Sequence, residues 1–216
     1  MTIIPKQEIQ RKYNHYAPRY DLIVSVPELL GVKKLRRKII RKASGKVLEV
    51  AVGTGKNLKY YPHTCQITAV DFSSNMLEIA RNRANHSISN ITFLLMDGEA
   101  LSFPDRSFDT VVSSLTLCTF QDPVAALREM GRVCRIDGRI FLIEHGRSNR
   151  EWLGRWQDRR ADEHAKTFGC HWNREPIELI HRAGLSLISD HRYFLGILHA
   201  IEASPLQKNY EIPYHQ

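Results

Sequence analysis

Residues 46–71 read KVLEVAVGTGKNLKYYPHTCQITAVD, and their order is strand, glycine turn, helix, strand. Val47 to Val52 form a short apolar run with one acid, Glu49, as a strand buried on both faces would. Gly53-Thr54-Gly55 then supplies a tight turn where the backbone can approach a ligand without interference from a Cβ. A short helix starts at Lys56 and is stopped by Pro62. A second apolar run from Gln66 ends in Asp71. This order sets a helix N-terminus and bare backbone beside a polar ligand, with a carboxylate at the end of the next strand.

In a dinucleotide-binding βαβ unit such an acid grips a ribose, but the spacing G-x-G-x-x-G is not met, since no glycine stands three after Gly55. Glu49, inside the first strand just ahead of the turn, suits a ligand with a positive group better than a pyrophosphate. A nucleoside that carries a cation fits both observations, and S-adenosylmethionine is one.

The rows LEVAVGTG, AVDFSSNMLEIAR, LLMDGEALSFPDRSFDTVVSSLTLC and ALREMGRVCRIDGRIFLIEH follow one another in the order of four motifs. Together the chain resembles the class I S-adenosylmethionine-dependent methyltransferases, in the ubiquinone/menaquinone methyltransferase-like branch. Within it the likeness is to bacterial phospholipid N-methyltransferases and animal thiol methyltransferase-like proteins, over roughly residues 13–203. Two positions depart from the pattern. Ala51 stands where most members have the first glycine of the turn, and Ile136-Asp137-Gly138 replaces the usual Pro-Gly-Gly before the fifth strand.

The resemblance implies an α/β fold, a Rossmann-like seven-stranded doubly wound sheet with a final antiparallel strand, plus an N-terminal helical lid. The alternation of strands and helices along the chain gives the doubly wound sheet independently. The resemblance also implies S-adenosyl-L-methionine as cofactor. Its expected contacts are Tyr20, Glu49, Ala51, Gly53, Thr54, Gly55, Asn57, Asp71, Phe72, Met76, Asp97, Gly98, Glu99, Ser114 and Leu115. Asp71 is placed on the ribose hydroxyls, and Phe72 and Met76 beside the adenine; for Met76 core packing is equally expected. Asp97 is positioned to accept from the adenine amino group, as a carboxylate accepts where an exocyclic amine donates. Glu99 is read either as a neighbour of the same ligand or as a helix-start residue. Ser114 and Leu115 end the fourth strand, where an open α/β sheet places its ligands.

In YNHYAPRYD the resemblance makes Tyr20 and Asp21 lid residues over the cofactor; the plain alternative is a surface helix packed by its tyrosines. Residues 28–43 read as one amphipathic helix with Leu29, Val32, Leu35, Ile39 and Ala43 at helical spacing. Lys33, Lys34, Arg36, Arg37, Lys38, Arg41 and Lys42 surround that stripe and account for most of the formal charge of +8. The face is either a solvated domain edge or a surface for anionic lipid, to which each basic residue contributes roughly 1 kcal/mol. Nucleic acid is the third polyanion, but no RNA-binding motif is present and no aromatic side chains are interleaved with the cluster.

Further along, a helix opens at Asp122-Pro123 and is expected to stop at Asp137-Gly138. The fifth strand then delivers Glu144 and His145 to its end. A strand-end histidine over the cofactor is the candidate catalytic base; the alternative is a ring that holds the loop. Residues 149–166 form a charged helix expected to cover the substrate mouth. Cys118 is read as a small buried hydrophobe or a reactive thiol. His164, Cys170 and His171 lack a fourth ligand at a recognisable spacing, so no metal is expected.

The expected organisation is N-terminal helices over 1–44 (lid and basic helix), the cofactor-binding domain over 45–203, and a tail over 204–216. At 216 residues, with 43% hydrophobic and 25% charged residues, the chain has the balance of a soluble globular domain with a substantial core. Four scattered cysteines without a C-x-x-C pair, and no apolar run of signal-peptide or membrane-span length, fit a cytoplasmic protein with optional peripheral contact at the membrane. The expected activity is methyl transfer to a small or lipid-like acceptor: a phospholipid amine, a thiol or a quinol. The competing class is a non-catalytic nucleoside- or protein-binding module on the same fold. The identity of the acceptor and the oligomeric state are not legible in any residue run.

Overall fold

The computed structural model describes residues 3–84 and 90–205. Seven strands, β1 (Lys46–Val50), β2 (Gln66–Asp71), β3 (Ile91–Leu95), β4 (Phe108–Ser114), β5 (Cys134–His145), β6 (Leu185–Tyr193) and β7 (Leu198–Pro205), form one sheet in the order β3-β2-β1-β4-β5-β7-β6. All pairs from β3 to β5 are parallel, whereas β7 runs antiparallel to both β5 and β6. The expected doubly wound sheet with an antiparallel last strand is observed.

Side chains alternate between the two faces of each strand, and both faces are buried. Val47, Val112, Phe141 and Ile143 join one apolar cluster; Leu48, Val111, Ile140 and Leu142 join the other. The first cluster is covered by α2 (Lys33–Ile40) through Leu35, Ile39 and Ile40, and by α3 (Ser74–Ala84) through Leu77 and Ala80. The second is covered by α4 (Pro123–Val133) and α6 (Pro176–Arg182). Two further helices, α1 (Lys6–Tyr16) and α5 (Glu151–Phe168), meet in a third cluster of Ile4, Ile9 and Ala165 against Tyr13 and Phe72.

Several local expectations are corrected. The basic helix is not continuous over 28–43, because Gly31 sits at φ 143° inside a single wide turn over Glu28–Val32, and the regular helix begins at Lys33. Only glycine takes that angle at low cost, and a Cβ there would lie 2.9 Å from the Phe194 ring. The stretch after Lys56 makes only one 3-10 turn, Leu58–Tyr60. The helix opened at Asp122 ends at Val133, and Cys134 already pairs with Phe108 of β4. Asp137-Gly138 therefore lies within β5, where the register shift between Phe108 and Thr110 takes up the extra residues. In the expected tail, Ser204 and Pro205 complete β7 and 206–216 lie outside the described residues. No described helix is long and apolar enough to cross a membrane.

Candidate active site

The strand order reverses between β1 and β4, since β2 and β3 lie to one side and β4 and β5 to the other. The chains leaving β1 and β4 therefore part, and their C-terminal ends frame a crevice. Both exits are strained. Ala51 and Leu115 adopt left-handed angles of 54° and 60°, which cost a residue bearing a Cβ of order 1 kcal/mol or more. Gly53 follows at φ 56°, and a Cβ built on it would meet nothing within 4 Å, so its bare backbone borders open space.

One chain of hydrogen bonds organises the crevice floor. The buried Arg36 guanidinium donates to Glu28 at 2.9 Å and to Asn57 Oδ1 at 2.7 Å. Asn57 Nδ2 donates in turn to Glu49 Oε1 at 2.8 Å and to Ser114 Oγ at 3.0 Å. Glu49 Oε2 is buried without a hydrogen bond among the described residues. Burial pushes the Glu49 carboxyl up to about 7, against Asn57, the adjacent Tyr61 hydroxyl and the nearby Arg36. A buried carboxylate oxygen with no partner beside an arginine is a ready site for a ligand carrying both an ammonium and a carboxylate.

Asp71, at the end of β2, is equally buried. Its Oδ2 accepts from the Gly53 N–H at 2.8 Å and its Oδ1 from the Ser73 N–H at 2.9 Å, while burial pushes the carboxyl up to about 6. Glu49, Ala51, Gly53, Thr54, Asn57, Asp71, Phe72, Met76, Ser114, Leu115 and Tyr20 all border this polar cavity. Asp97, Gly98 and Glu99 line an adjoining cavity that shares Ala51, Asp71 and Phe72 with the first. Gly55 borders neither cavity. It faces Leu58 and Ala80 at φ 79°, so it serves the turn and its packing.

The N-terminal segment closes this crevice. Lys6 of α1 pairs with Asp97 at 2.5 Å and Glu99 at 2.8 Å, and Gln10 donates to the Phe72 carbonyl. Glu99 also accepts from the Gln121 N–H at 2.8 Å. Asp21 accepts from the Thr54 hydroxyl at 2.7 Å and pairs with Lys56 and Arg83, which hold its carboxyl below the usual range against partial burial. The Tyr-Asp pair is thus tied to the glycine turn.

Beyond Tyr13, Tyr20 and Leu115, which border both spaces, lies a second and larger cavity of about 590 Å³. Its walls are mostly apolar and aromatic, from Ile23, Val24, Trp156, Phe168, Trp172 and Phe194. Ile23, Val26, Trp156, Phe168 and Phe194 are at the same time exposed, so they form its rim. At its inner end stand Cys118, His145 and Cys170, with Cys170 Sγ 3.4 Å from His145 Nε2. The Cys170 thiol and burial together push the Cys118 thiol up. Burial opposes the charged form of His145, but the facing Cys118 and Glu144 prevail and push the ring up to about 9. Glu144 itself faces the loop after β4, where it accepts from the Thr116 and Leu117 N–H groups at 3.1 and 3.2 Å. It is a loop holder, and burial pushes it up to about 7.

Comparison with known proteins agrees with this geometry. Residues 48–142 match the family described as Methyltransferase domain. These residues carry a methyltransferase domain, and the chain is similar to the class I S-adenosylmethionine-dependent methyltransferases. It is 30% identical to the mitochondrial methyltransferase OMS1 of Saccharomyces cerevisiae over 93% of this chain and 47% of that protein. It is 40% identical to a phosphatidylethanolamine N-methyltransferase of Cereibacter sphaeroides over 47% of this chain and 51% of that protein. The chain thus spans about half the length of these curated relatives. Among solved structures, an S-adenosylmethionine-dependent methyltransferase of Thermotoga maritima, possibly a histamine N-methyltransferase, superposes with a TM-score of 0.67 at 21% identity, over 92% of this chain and all of that one. S-adenosylmethionine is the cofactor of this methyltransferase family.

Arg36 escaped the sequence reading as a site residue, since it was grouped with the surface cations. Its position carried the signal: Val32, Arg36 and Ile40 are spaced four apart on the buried stripe, whereas Lys33, Lys34, Arg37, Lys38, Arg41 and Lys42 are exposed. Cys170 was weighed with His164 and His171. The structure instead turns the His164 ring to the Cys170 carbonyl at 2.8 Å and brings Cys170 to His145 and Cys118.

Proposed function

We propose that this chain transfers a methyl group from S-adenosylmethionine to a lipid-like acceptor bound in the apolar cavity. The observation that supports it is the meeting of two unlike cavities, one polar and one apolar, at Tyr13, Tyr20 and Leu115. On the polar side Glu49 and Arg36 suit the amino and carboxylate ends of the cofactor, Asp71 the ribose hydroxyls, and Asp97 the adenine amino group. When bound, the cofactor's sulfonium supplies an already activated methyl group, so alignment and exclusion of water are the main tasks left to the protein. The lid ties at Lys6 and Asp21 exclude water. Tyr13, Tyr20 and Leu115 direct the acceptor's reacting atom to the junction. His145 is the proton-exchanging group of the acceptor side.

The rim favours an amphiphile. Ile23 is 50% exposed, Val26 60% and Phe168 45%; exposed apolar residues grouped at a cavity mouth mark an interaction surface. Lys33, Lys34, Arg37 and Lys38 lie in the helix that follows, exposed beside this rim. An anionic membrane surface would engage both and would present the acceptor to the mouth. The phosphatidylethanolamine specificity in the name of the Cereibacter relative points the same way. The test is transfer of labelled methyl from S-adenosylmethionine to phosphatidylethanolamine in vesicles, to a small soluble thiol and to a quinol. Label on the vesicle lipid or the quinol supports the reading; label on the soluble thiol alone shifts it to small polar acceptors. Failure of the folded protein to bind S-adenosylmethionine refutes it.

A further inference from the structure

We propose that Cys118, His145 and Cys170 form a zinc site of the three-ligand, open type at the inner end of the apolar cavity. Their three donor atoms, two Sγ and one Nε2, lie within 4.8 Å of one another. Two donors on one tetrahedral zinc ion, at roughly 2.3 Å for sulfur and 2.0 Å for nitrogen, stand about 3.5 Å apart. The Cys170 Sγ to His145 Nε2 distance is 3.4 Å.

The donor set selects the ion. Two cysteines and a histidine are soft donors that favour zinc over magnesium or calcium. Three protein ligands with a vacant fourth direction are the pattern of catalytic rather than structural zinc. All three residues border the large cavity, so the fourth position faces the acceptor space. Charge balance also fits: a dication with two thiolates and a neutral imidazole is neutral overall, which an apolar cavity tolerates far better than an isolated ion.

The ligands come from three parts of the chain, and their backbones are braced together. Cys118 lies in the loop that Glu144 holds at Thr116 and Leu117. The Cys118 carbonyl accepts from the His171 N–H at 2.8 Å, which ties this loop to the turn bearing Cys170. His164 Nδ1 lies 2.8 Å from the Cys170 carbonyl, and Arg174 donates to the carbonyls of Leu117 and Phe120. His145 ends β5, the longest strand of the sheet. Such outer contacts orient ligands before the ion arrives. With the ion in place Nε2 is a ligand, so the proton-exchanging role given to His145 passes to whatever binds the fourth position, whose pKa the metal lowers. This last role rests on the methyl-transfer reading above; the metal site does not.

The experiment is a cobalt titration of the reduced, chelator-stripped chain, read by visible and near-ultraviolet absorption. The expected result is one equivalent of cobalt with tetrahedral bands and thiolate-to-cobalt charge transfer, displaced by one equivalent of zinc. Cys118→Ser and Cys170→Ser should each weaken the charge transfer, and the double variant should lose it. His145→Gln should lose the tetrahedral bands. Calorimetric binding of S-adenosylmethionine on the same samples reports that each variant is folded. Absence of cobalt bands in a parent that binds S-adenosylmethionine overturns the site, as do bands that persist unchanged in the double cysteine variant. Cobalt binding without S-adenosylmethionine binding would uphold the site and count against the methyl-transfer reading alone.

Discussion

Arg36 donates to Asn57 Oδ1 at 2.7 Å while Asn57 Nδ2 reaches Glu49 Oε1 at 2.8 Å, so one amide carries the contact between a buried cation and a buried acid. Removing the Arg36 charge leaves both Glu28 and Glu49 without their cation in a low-dielectric site. Arg36→Met should therefore weaken S-adenosylmethionine binding by about 2–3 kcal/mol, roughly 30- to 150-fold in Kd. Arg36→Lys should recover only part of it, because a lysine cannot hold Glu28 and Asn57 with one planar fork. Calorimetry on both variants checks this, and an unchanged Kd in Arg36→Met would remove Arg36 from the site.

The pH dependence follows from Glu49, which folding raises from 4.5 to about 7. Between these values the folded chain holds a proton that the unfolded chain has lost. This contribution to stability is thus greatest below 4.5 and declines as pH rises to about 7. Cofactor binding has the opposite slope. An ammonium beside Glu49 favours the ionised carboxylate, so affinity should rise up to tenfold per unit toward pH 7 and then level off. Below pH 7 binding should release about one proton, measurable by calorimetry in buffers of different ionisation enthalpy. Glu49→Gln should abolish the proton release and the slope between pH 6 and 7, leaving only what Asp71, raised to about 6, contributes below that.

Ala51 stands at φ 54°, at the place where most members of the resembled family have the first glycine of the turn. Ala51→Gly relieves the left-handed strain of about 1–2 kcal/mol and adds back about 0.5–1 kcal/mol of chain entropy cost. A net gain of roughly 0.5–1 kcal/mol should raise Tm by about 1–4 °C. A fall in Tm would mean that the methyl of Ala51 packs favourably enough to outweigh the strain.

The lid should open when its tie to the glycine turn is cut. Asp21 joins Thr54, Lys56 and Arg83 at once, so Asp21→Asn weakens three contacts while keeping the side chain's shape. Limited proteolysis should then cleave the segment before Lys33 faster than in the parent, and S-adenosylmethionine should dissociate faster. Equal cleavage rates would show that α1 is held by its own packing on α5 instead.

The doubly wound sheet was legible from the alternation of strands and helices, its antiparallel last strand only through the family resemblance. The residues that border the crevice were legible because they lie in local motifs. An apolar run that ends in Gly53-Thr54-Gly55, and another that ends in Asp71, announce themselves by spacing alone. Gly31 was harder, because helical periodicity continues across it and only the neighbouring Phe194 ring shows why the chain must bend there. The stop expected at Asp137-Gly138 failed for a related reason: a turn-prone pair inside a long strand is absorbed by a register shift with β4. Arg36 was hidden by company, six exposed cations around one buried one. The trio of Cys118, His145 and Cys170 was beyond sequence reading altogether. Cys118 lies in the loop after β4, His145 is the last residue of β5 and Cys170 follows α5, and only the tertiary fold brings them together.

That correction of Arg36 changes how the membrane surface must be probed. A charge reversal that includes Arg36 would break the cofactor site and the basic face together, and loss of activity would then be uninterpretable. Lys33→Glu, Lys34→Glu, Arg37→Glu and Lys38→Glu combined leave Arg36 untouched and remove only exposed charges. Each exposed cation contributes about 1 kcal/mol at an anionic surface. The quadruple variant should therefore float with anionic vesicles far less than the parent while keeping its Kd for S-adenosylmethionine. Raising the ionic strength should weaken the parent's flotation in the same direction. The apolar rim adds a term that salt does not screen, so Val26→Asp should reduce flotation even at high salt. If the parent ignores anionic vesicles and the quadruple variant transfers methyl groups to vesicle lipid as fast as the parent does, the basic face is a solvated edge, and the acceptor reaches the cavity from solution.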